Sequence, residues 1–307
     1  MRSSEKIGLH CYIAPLGIPA VIRAHDPVLA SAAAAAYADW KVGPPFAEPR
    51  ITLTLDRAEP SSKGVDAVIR VEGSVLTIES AEIMGHADAR TMRASCNVPS
   101  RLIDDPRTLA AEALDPLLLF LLSRCDRTPL HAAGILIRDQ ALVLAGRSGS
   151  GKSSLALAAA RRGLPVLSED IIYAQSDPRQ RLWGFHRSIH VFPQDAPPGP
   201  HPTRLRAGKL KAVLPMPHFP DGIPVAENGC LILLRHGREP ALTRLETAEA
   251  TRSLPPLDPG FDLLPGESAD VMRTLIANGA WRLTLSADPD AAIDLLCRHF
   301  DPVVAAG

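Results

Sequence analysis

Apolar and polar residues change rhythm along this chain. Near the N-terminus they alternate with period two: ITLTLDRAE (51–59), DAVIRVEG (66–73) and SVLTIESAE (74–82) read as half-buried strands, and Gly73-Ser74 predicts a hairpin turn between the last two. Ahead of them, the alanine-rich stretch 28–40 suits a helix. Asp105-Pro106 and Asp115-Pro116 each offer an N-cap followed by proline at the first helical position, so one helix or two in tandem cover 106–124. Its LLLFLL run is apolar on every face and predicts a buried helix between two regions. Beyond it strands and helices alternate. GILI and ALVLA flank a short polar turn, LALAAARRG is a helix closed by Gly163, and LPVLSEDIIYAQ returns as a strand. GCLILLR is a central strand, 268–278 a helix and WRLTLSA a strand, and Asp288-Pro289 opens a last helix reaching Phe300. The pattern predicts an α/β chain in three parts: a small β-rich region over 1–104, a buried connecting helix over 105–127, and an α/β domain over 128–307.

Composition narrows the classes. The 307 residues hold one large domain or two modest ones, and 46% hydrophobic with 22% charged residues is ordinary for a soluble protein. A net charge of −1 gives no electrostatic case for nucleic acid or an anionic membrane as partner. The five cysteines stand far apart in no C-x-x-C spacing, which favours reduced thiols over disulfides or a zinc site. The first residues, MRSSEKIGLHCYIAPLGIPAVIRA, make a poor signal peptide because Pro15 and Pro19 break the apolar run, and LLLFLL is far short of a membrane span. The expected compartment is the cytoplasm. Homo-oligomerisation stays open. His10, His25 and His86 each stand alone, and the N-terminal sheet is either packing or a docking platform.

The chemistry gathers around residues 141–154, ALVLAGRSGSGKSS. An apolar strand runs into Gly146-Arg147-Ser148-Gly149-Ser150-Gly151-Lys152-Ser153, which fits G-x-x-x-x-G-K-S, and a helix follows. Glycines let successive backbone N–H groups turn onto phosphate oxygens, and the helix N-terminus adds partial positive charge. Gly146, Ser148, Gly149, Ser150, Gly151, Lys152, Ser153 and Ser154 are therefore the expected nucleotide-binding residues, with Lys152 on the outer phosphates and Ser153 on Mg²⁺.

Two further groups are brought near by pattern alone. If the turn in GILIRDQALVLA is centred on Asp139, antiparallel partners sum to 278, and His131 falls opposite Arg147, close enough to touch a phosphate or orient an acidic base. In LPVLSEDIIYAQ the adjacent acids Glu169 and Asp170 sit between apolar flanks, where a desolvated carboxylate costs several kcal/mol unless compensated. A Mg²⁺ ion at the loop compensates, if the strand after the loop helix lies beside the loop strand. The pair then divides its work between metal and proton.

PLHAAG, GRSGSGKSS and LSED, over about residues 128–190, resemble the core of HPr kinase/phosphorylase, which is similar in outline to ATP-dependent phosphoenolpyruvate carboxykinases. The resemblance implies a P-loop kinase core using ATP and Mg²⁺, with a protein or peptide phosphoacceptor. It implies His131 on the phosphate side, Lys152 and Ser153 in the loop, Glu169 as base and Asp170 as metal ligand. The first acid is glutamate where that family usually has aspartate. The glycine-rich signature of the bifunctional enzymes is missing downstream, and whether any phosphorylase activity accompanies the kinase stays open. The first 104 residues do not resemble those enzymes' amino-terminal domain. The nearest likeness is to stand-alone HPr kinase-related proteins, some of which phosphorylate a serine of a lasso-peptide precursor.

WGFHRSIHVFP places Arg187 on a short strand, a candidate cation for charge spreading over a transferring phosphoryl group. The proline-rich span 193–265 excludes helix and central strand over FPQDAPPGPHP and PMPHFPDGIP. Between them RLRAGKLKAVL carries Arg204, Arg206, Lys209 and Lys211, a basic lid or acceptor loop able to meet ATP phosphates or an acidic peptide. The chain has no LSGGQ-like signature and no N-K-x-D motif, which argues against ABC-type ATPases and GTPases. Two functions remain: a kinase acting on a serine-type hydroxyl, and a nucleotide-binding regulatory module or plain ATPase.

Overall fold

The computed structural model describes residues 9–43, 48–58, 68–80, 82–206, 208–219, 222–255 and 264–301, the side chains of Arg206 and Pro265 excepted. Its contacts divide the chain into two units, Met1–Cys125 and Asp126–Gly307. The fold is mixed α/β with several sheets.

In the first unit β1 (Leu9–Ile13), β2 (Ala20–Ala24), β3 (Ile51–Arg57), β4 (Val68–Glu72), β5 (Val75–Glu79), β6 (Met84–Asp88) and β7 (Arg93–Val98) form one sheet in the order β1-β2-β3-β7-β6-β5-β4. Period-two alternation buries Ile51, Leu53 and Leu55 and leaves Thr52 and Thr54 half-buried. The predicted hairpin closes with Glu72 opposite Val75 and Gly73 at φ 59. Helix α1 (Pro27–Ala36) starts where the Asp26 carboxylate accepts from the N–H groups of Val28 and Leu29. It stops earlier than the 28–40 stretch suggests, at Tyr37, and a short 3₁₀ turn covers Ala38–Trp40.

The predicted 106–124 helix is one run of changing pitch: after α2 (Ser100–Ile103) come α3 (Pro106–Leu109), a π-helical turn (Ala110–Leu114) and α4 (Asp115–Ser123). Asp105 caps it as expected, but Asp115 does not start a second helix. Pro116 cannot donate to Glu112 and would crowd its carbonyl, and the wider π turn takes up that defect without ending the helix. Asp115 is instead buried in the run and accepts a 2.7 Å hydrogen bond from the Tyr37 hydroxyl. α4 packs on β5, β6 and β7, where Gly85 admits Leu117. Asp105 holds its proton less tightly than an ordinary aspartate because the Thr108 hydroxyl and the Thr108 and Arg107 N–H groups donate to it. Its capping contribution is therefore present in full above the unfolded value near 3.8 and disappears as pH falls through the lower native value. Asp105→Ala is expected to cost about 1 kcal/mol at neutral pH and less in acid below the native value, read by urea melts across that range.

The second unit begins with β8 (Thr128–Leu130), β9 (Ala132–Ile137) and β10 (Gln140–Ala145), followed by α5 (Lys152–Arg161). Then come β11 (Val166–Ser168), β12 (Ile172–Gln175), β13 (Arg181–Gly184), β14 (Ser188–Val191), β15 (Thr203–Arg206), β16 (Lys209–Pro215), β17 (Val225–Ala226), β18 (Asn228–His236) and β19 (Ala241–Arg244). Helices α6 (Thr247–Arg252) and α7 (Pro265–Ala277), strand β20 (Ala280–Leu285) and helix α8 (Pro289–Phe300) close it. The main sheet runs β11-β9-β10-β18-β20-β19, with β10, β18 and β20 parallel. Leu142, Leu144, Cys230 and Ile232 pack with Leu155, Ile293 and Leu296 of α5 and α8, while Ala141, Val143, Leu231 and Leu233 pack with Val271 and Leu275 of α7. A sheet covered on both faces explains why ALVLA and GCLILLR are apolar without alternation.

Three expectations change here. The β9–β10 turn has two residues, with Arg138 at φ 55, so partners sum to 277 and His131 is in register with Gly146 rather than Arg147. LPVLSEDIIYAQ is two strands in two sheets: β11 pairs with β9, and β12 pairs with β8 and β13. The break comes at a bulge between Val166 and Ser168, which turns the chain out of the main sheet. β12 then crosses close over Gly134, where an added Cβ would stand 2.5 Å from Ile172 Cδ1. β11 neighbours β9, not the loop strand β10. RLRAGKLKAVL is also no irregular lid but the hairpin β15–β16, joined to β14 in a three-stranded sheet. Residues 207, 220–221 and 256–263 of the proline-rich span lie outside the described residues.

None of the five cysteines forms a disulfide, and burial pushes the thiols of Cys96 and Cys230 up to about 12. Among the described residues no helix is long and apolar enough to cross a membrane.

Candidate active site

The main sheet collects chain ends along one edge. β10, β18 and β20 run parallel, and β11 shares their direction because both β10 and β11 are antiparallel to β9. The carboxyl ends of β10, β11 and β18 therefore meet the amino end of β9 along that edge, where open α/β sheets place their ligands. Residues 146–151, Glu169 with Asp170, His236 and His131 lie at those four ends.

Gly149 sits at φ 83, and at two other places in the loop a Cβ would be crowded. At Gly146 an added Cβ would stand 2.4 Å from Ser150 Oγ, so the backbone could not close over that hydroxyl. Gly151, at φ 98, turns the chain into α5, and a Cβ there would meet Leu285. The Lys152 ammonium curls back over the loop and donates to the carbonyls of Gly146 (2.7 Å) and Arg147 (3.4 Å). Ser150 Oγ is buried with no hydrogen-bond partner inside the loop. A buried hydroxyl left this way costs free energy unless something enters to pair with it.

The two acids separate at the bend after the bulge. Glu169 is 4% exposed. Its Oε2 accepts from Ser153 Oγ at 2.7 Å, and its Oε1 accepts from the His190 N–H at 3.1 Å and lies 3.0 Å from His190 Nδ1. Those donors offset the burial of the charge. Asp170 is more open and sets Oδ1 3.3 Å from His131 Nε2. The bend points the longer side chain at the loop helix and the shorter one at the start of β9.

No protein-family model matches the chain, and neither does any curated protein. Among solved structures similar to it, one described as the HPr(Ser) kinase/phosphatase from Coxiella burnetii is 16% identical and covers 59% of this chain and 100% of its own, with a TM-score of 0.30.

The structure brings together Gly146, Gly151, Lys152, Ser153, Glu169, Asp170 and His131, with Ser148 and Gly149 in the same loop and Ser154 in the first turn of α5. Arg187 lies in the link between β13 and β14 rather than on a strand, half-buried, with its guanidinium 4.8 Å from the centre of the Phe185 ring. Two residues of the site have no signal in the glycine motif. His190 reaches it from β14, and His236, at the carboxyl end of β18, sets Nε2 3.0 Å from the Gly149 carbonyl. That hydrogen bond holds one loop carbonyl outward and so favours inward-facing amides. If the loop binds nucleotide as the glycine motif implies, His236→Ala is expected to weaken that binding about fivefold, the worth of one hydrogen bond near 1 kcal/mol, with His236→Asn recovering part of it in a fluorescent-nucleotide titration.

Among the described residues no cluster of three or more His, Cys, Asp or Glu could hold a metal by itself. The Ser153 hydroxyl and Glu169 carboxylate, 2.7 Å apart, nonetheless fit Mg²⁺, which takes hard oxygen ligands and draws most of them from water and substrate phosphates.

Proposed function

We propose that the chain is a Mg²⁺-dependent kinase that transfers the γ-phosphoryl group of ATP to a serine-type hydroxyl of a protein or peptide. The observation that supports it best is the separation of the two acids beside a glycine loop: Glu169 on Ser153, and Asp170 on His131. In-line phosphoryl transfer needs positioning, a compensated negative charge and a proton acceptor.

In this reading the amides of residues 146–151 and the N-terminus of α5 bind the phosphates of ATP, and the buried Ser150 hydroxyl finds its partner there. Lys152 exchanges its loop carbonyls for outer phosphate oxygens. Ser153 and Glu169 would hold Mg²⁺, which would screen charge on the phosphates. Asp170 takes the proton from the attacking hydroxyl onto its carboxylate, while His131 Nε2 fixes the orientation of that carboxylate. Arg187, three residues before His190, supplies a planar fork of donors for the transferring group. The roles of the two acids are thus the reverse of those implied by the family resemblance. A lasso-type precursor is one such acceptor, as the family resemblance implies.

The test incubates the full chain with γ-labelled ATP, Mg²⁺ and a panel of serine-containing peptides, including those encoded beside its gene. Label transferred to a peptide serine is the expected result. Equal ATP consumption with every peptide, and label in none, would instead make the protein an ATPase or a regulatory module.

A further inference from the structure

The three-stranded sheet β14-β16-β15 has the candidate site at one side and a strongly basic strand pair at the other. β14 carries His190, the partner of Glu169. At the far side Arg204 stands opposite Lys211 and Arg206 opposite Lys209, and no acidic residue occurs between Asp195 and Asp221. Like charges directly opposed across a ladder repel, so the Arg204–Lys211 register is unfavourable taken by itself. Lys211 is partly occupied, its ammonium lying over the Phe192 ring, whereas Lys209 is exposed.

The other face of the same hairpin is apolar and only half covered. Ala212 and Leu214 pack with Leu157, Ile189 and Val191. Further out, Leu205 and Leu210 oppose each other and are 69% and 53% exposed. Among the described residues no strand pairs with the outer edge of β15. An edge strand with no neighbouring strand among the described residues, basic positions alternating with leucines along it, matches one kind of partner: a strand whose acids and apolar residues alternate in phase with it.

We propose that β15 docks an extended segment of the acceptor polypeptide in which acidic and apolar residues alternate. This rests on the kinase reading and names its substrate class. Such a segment would form a fourth strand, three inter-strand spacings or about 14 Å from the β14 backbone at His190. Four or five extended residues cross that gap, so the phosphorylated hydroxyl would lie about that far along the acceptor from the docked segment.

Docking is tested on the full chain without nucleotide, so that it can fail or succeed apart from catalysis. A fluorescent peptide alternating glutamate and valine along the length of β15 is expected to bind roughly tenfold tighter than a peptide of the same composition with its acids in one block, and tighter than a lysine-valine alternation. Lys209→Glu and, separately, Leu205→Ser with Leu210→Ser should each weaken it roughly fivefold or more while circular dichroism is unchanged. Both variants alter exposed side chains, so folding does not confound them. Equal affinity for alternating and block peptides overturns the strand pairing. Binding of phosphatidylserine vesicles or single-stranded DNA without binding of the peptide assigns the surface to a membrane or nucleic acid and overturns the proposal. Self-association abolished by the leucine variant assigns the surface to a second copy and overturns it equally. Peptide binding without any phosphorylation leaves the docking surface standing and removes the kinase reading. Phosphorylation of short neutral peptides without docking does the reverse.

Discussion

If the proposed transfer is this chain's reaction, Asp170→Asn is expected to lower its rate about 10²–10⁴-fold and to leave nucleotide affinity within about twofold. The amide has the shape of the carboxylate, so the contact with His131 Nε2 at 3.3 Å survives. What is lost is the ability to take a proton from the acceptor hydroxyl. Single-turnover rates with saturating ATP, together with a separate nucleotide titration, check both halves of this expectation. Glu169→Gln behaves differently. Its amide removes the negative charge beside Ser153 and raises the Mg²⁺ concentration needed for half-maximal rate at least about tenfold, and excess Mg²⁺ restores much of the activity. If the roles follow the family resemblance instead, the two phenotypes exchange: Glu169→Gln then loses rate at every Mg²⁺ concentration, and Asp170→Asn becomes the variant that extra Mg²⁺ rescues.

The pair also shows where sequence stops informing structure. The glycine loop is legible because its chemistry needs contiguous residues, and strand, loop and helix then follow in fixed order. His131 sits one residue from its expected register because Arg138 adopts positive φ in a two-residue turn, where glycine or asparagine would have announced it. The acids are legible as a pair but not as individuals. Their division depends on a bulge before Ser168 and on β12 leaving for another sheet, and neither Leu167 nor Ile172 carries any mark of that. His190 and His236 belong to the site through tertiary contacts 21 and 87 residues away in sequence. For His236 a signal exists: it ends the apolar strand GCLILLR, and the carboxyl end of a parallel strand beside the loop strand is where ligand contacts gather. Asp115 fails as a helix start because the cap-plus-proline pattern ignores whether the preceding turn can widen.

Gly184→Ala is expected to destabilise the second unit by about 3 kcal/mol or more, seen as a fall of roughly 10 °C in its melting transition. A Cβ at Gly184 would stand 1.8 Å from the Leu167 carbonyl oxygen. The obstacle is backbone, so no side-chain rotation relieves it. Leu167 belongs to the bulged β11 and is two residues before Glu169, so relief by shifting that strand would carry Glu169 away from Ser153. A variant that still folds should therefore need more Mg²⁺ as well as melt earlier, which a loss of stability alone would not produce. Gly266→Ala is the contrast: it lies in α7, has open space around it, and should be neutral or up to about 1 kcal/mol more stable. If Gly184→Ala and Gly266→Ala melt together, β13 does not press on the strand that carries the acids, and the close packing on which the position of Glu169 depends is wrong.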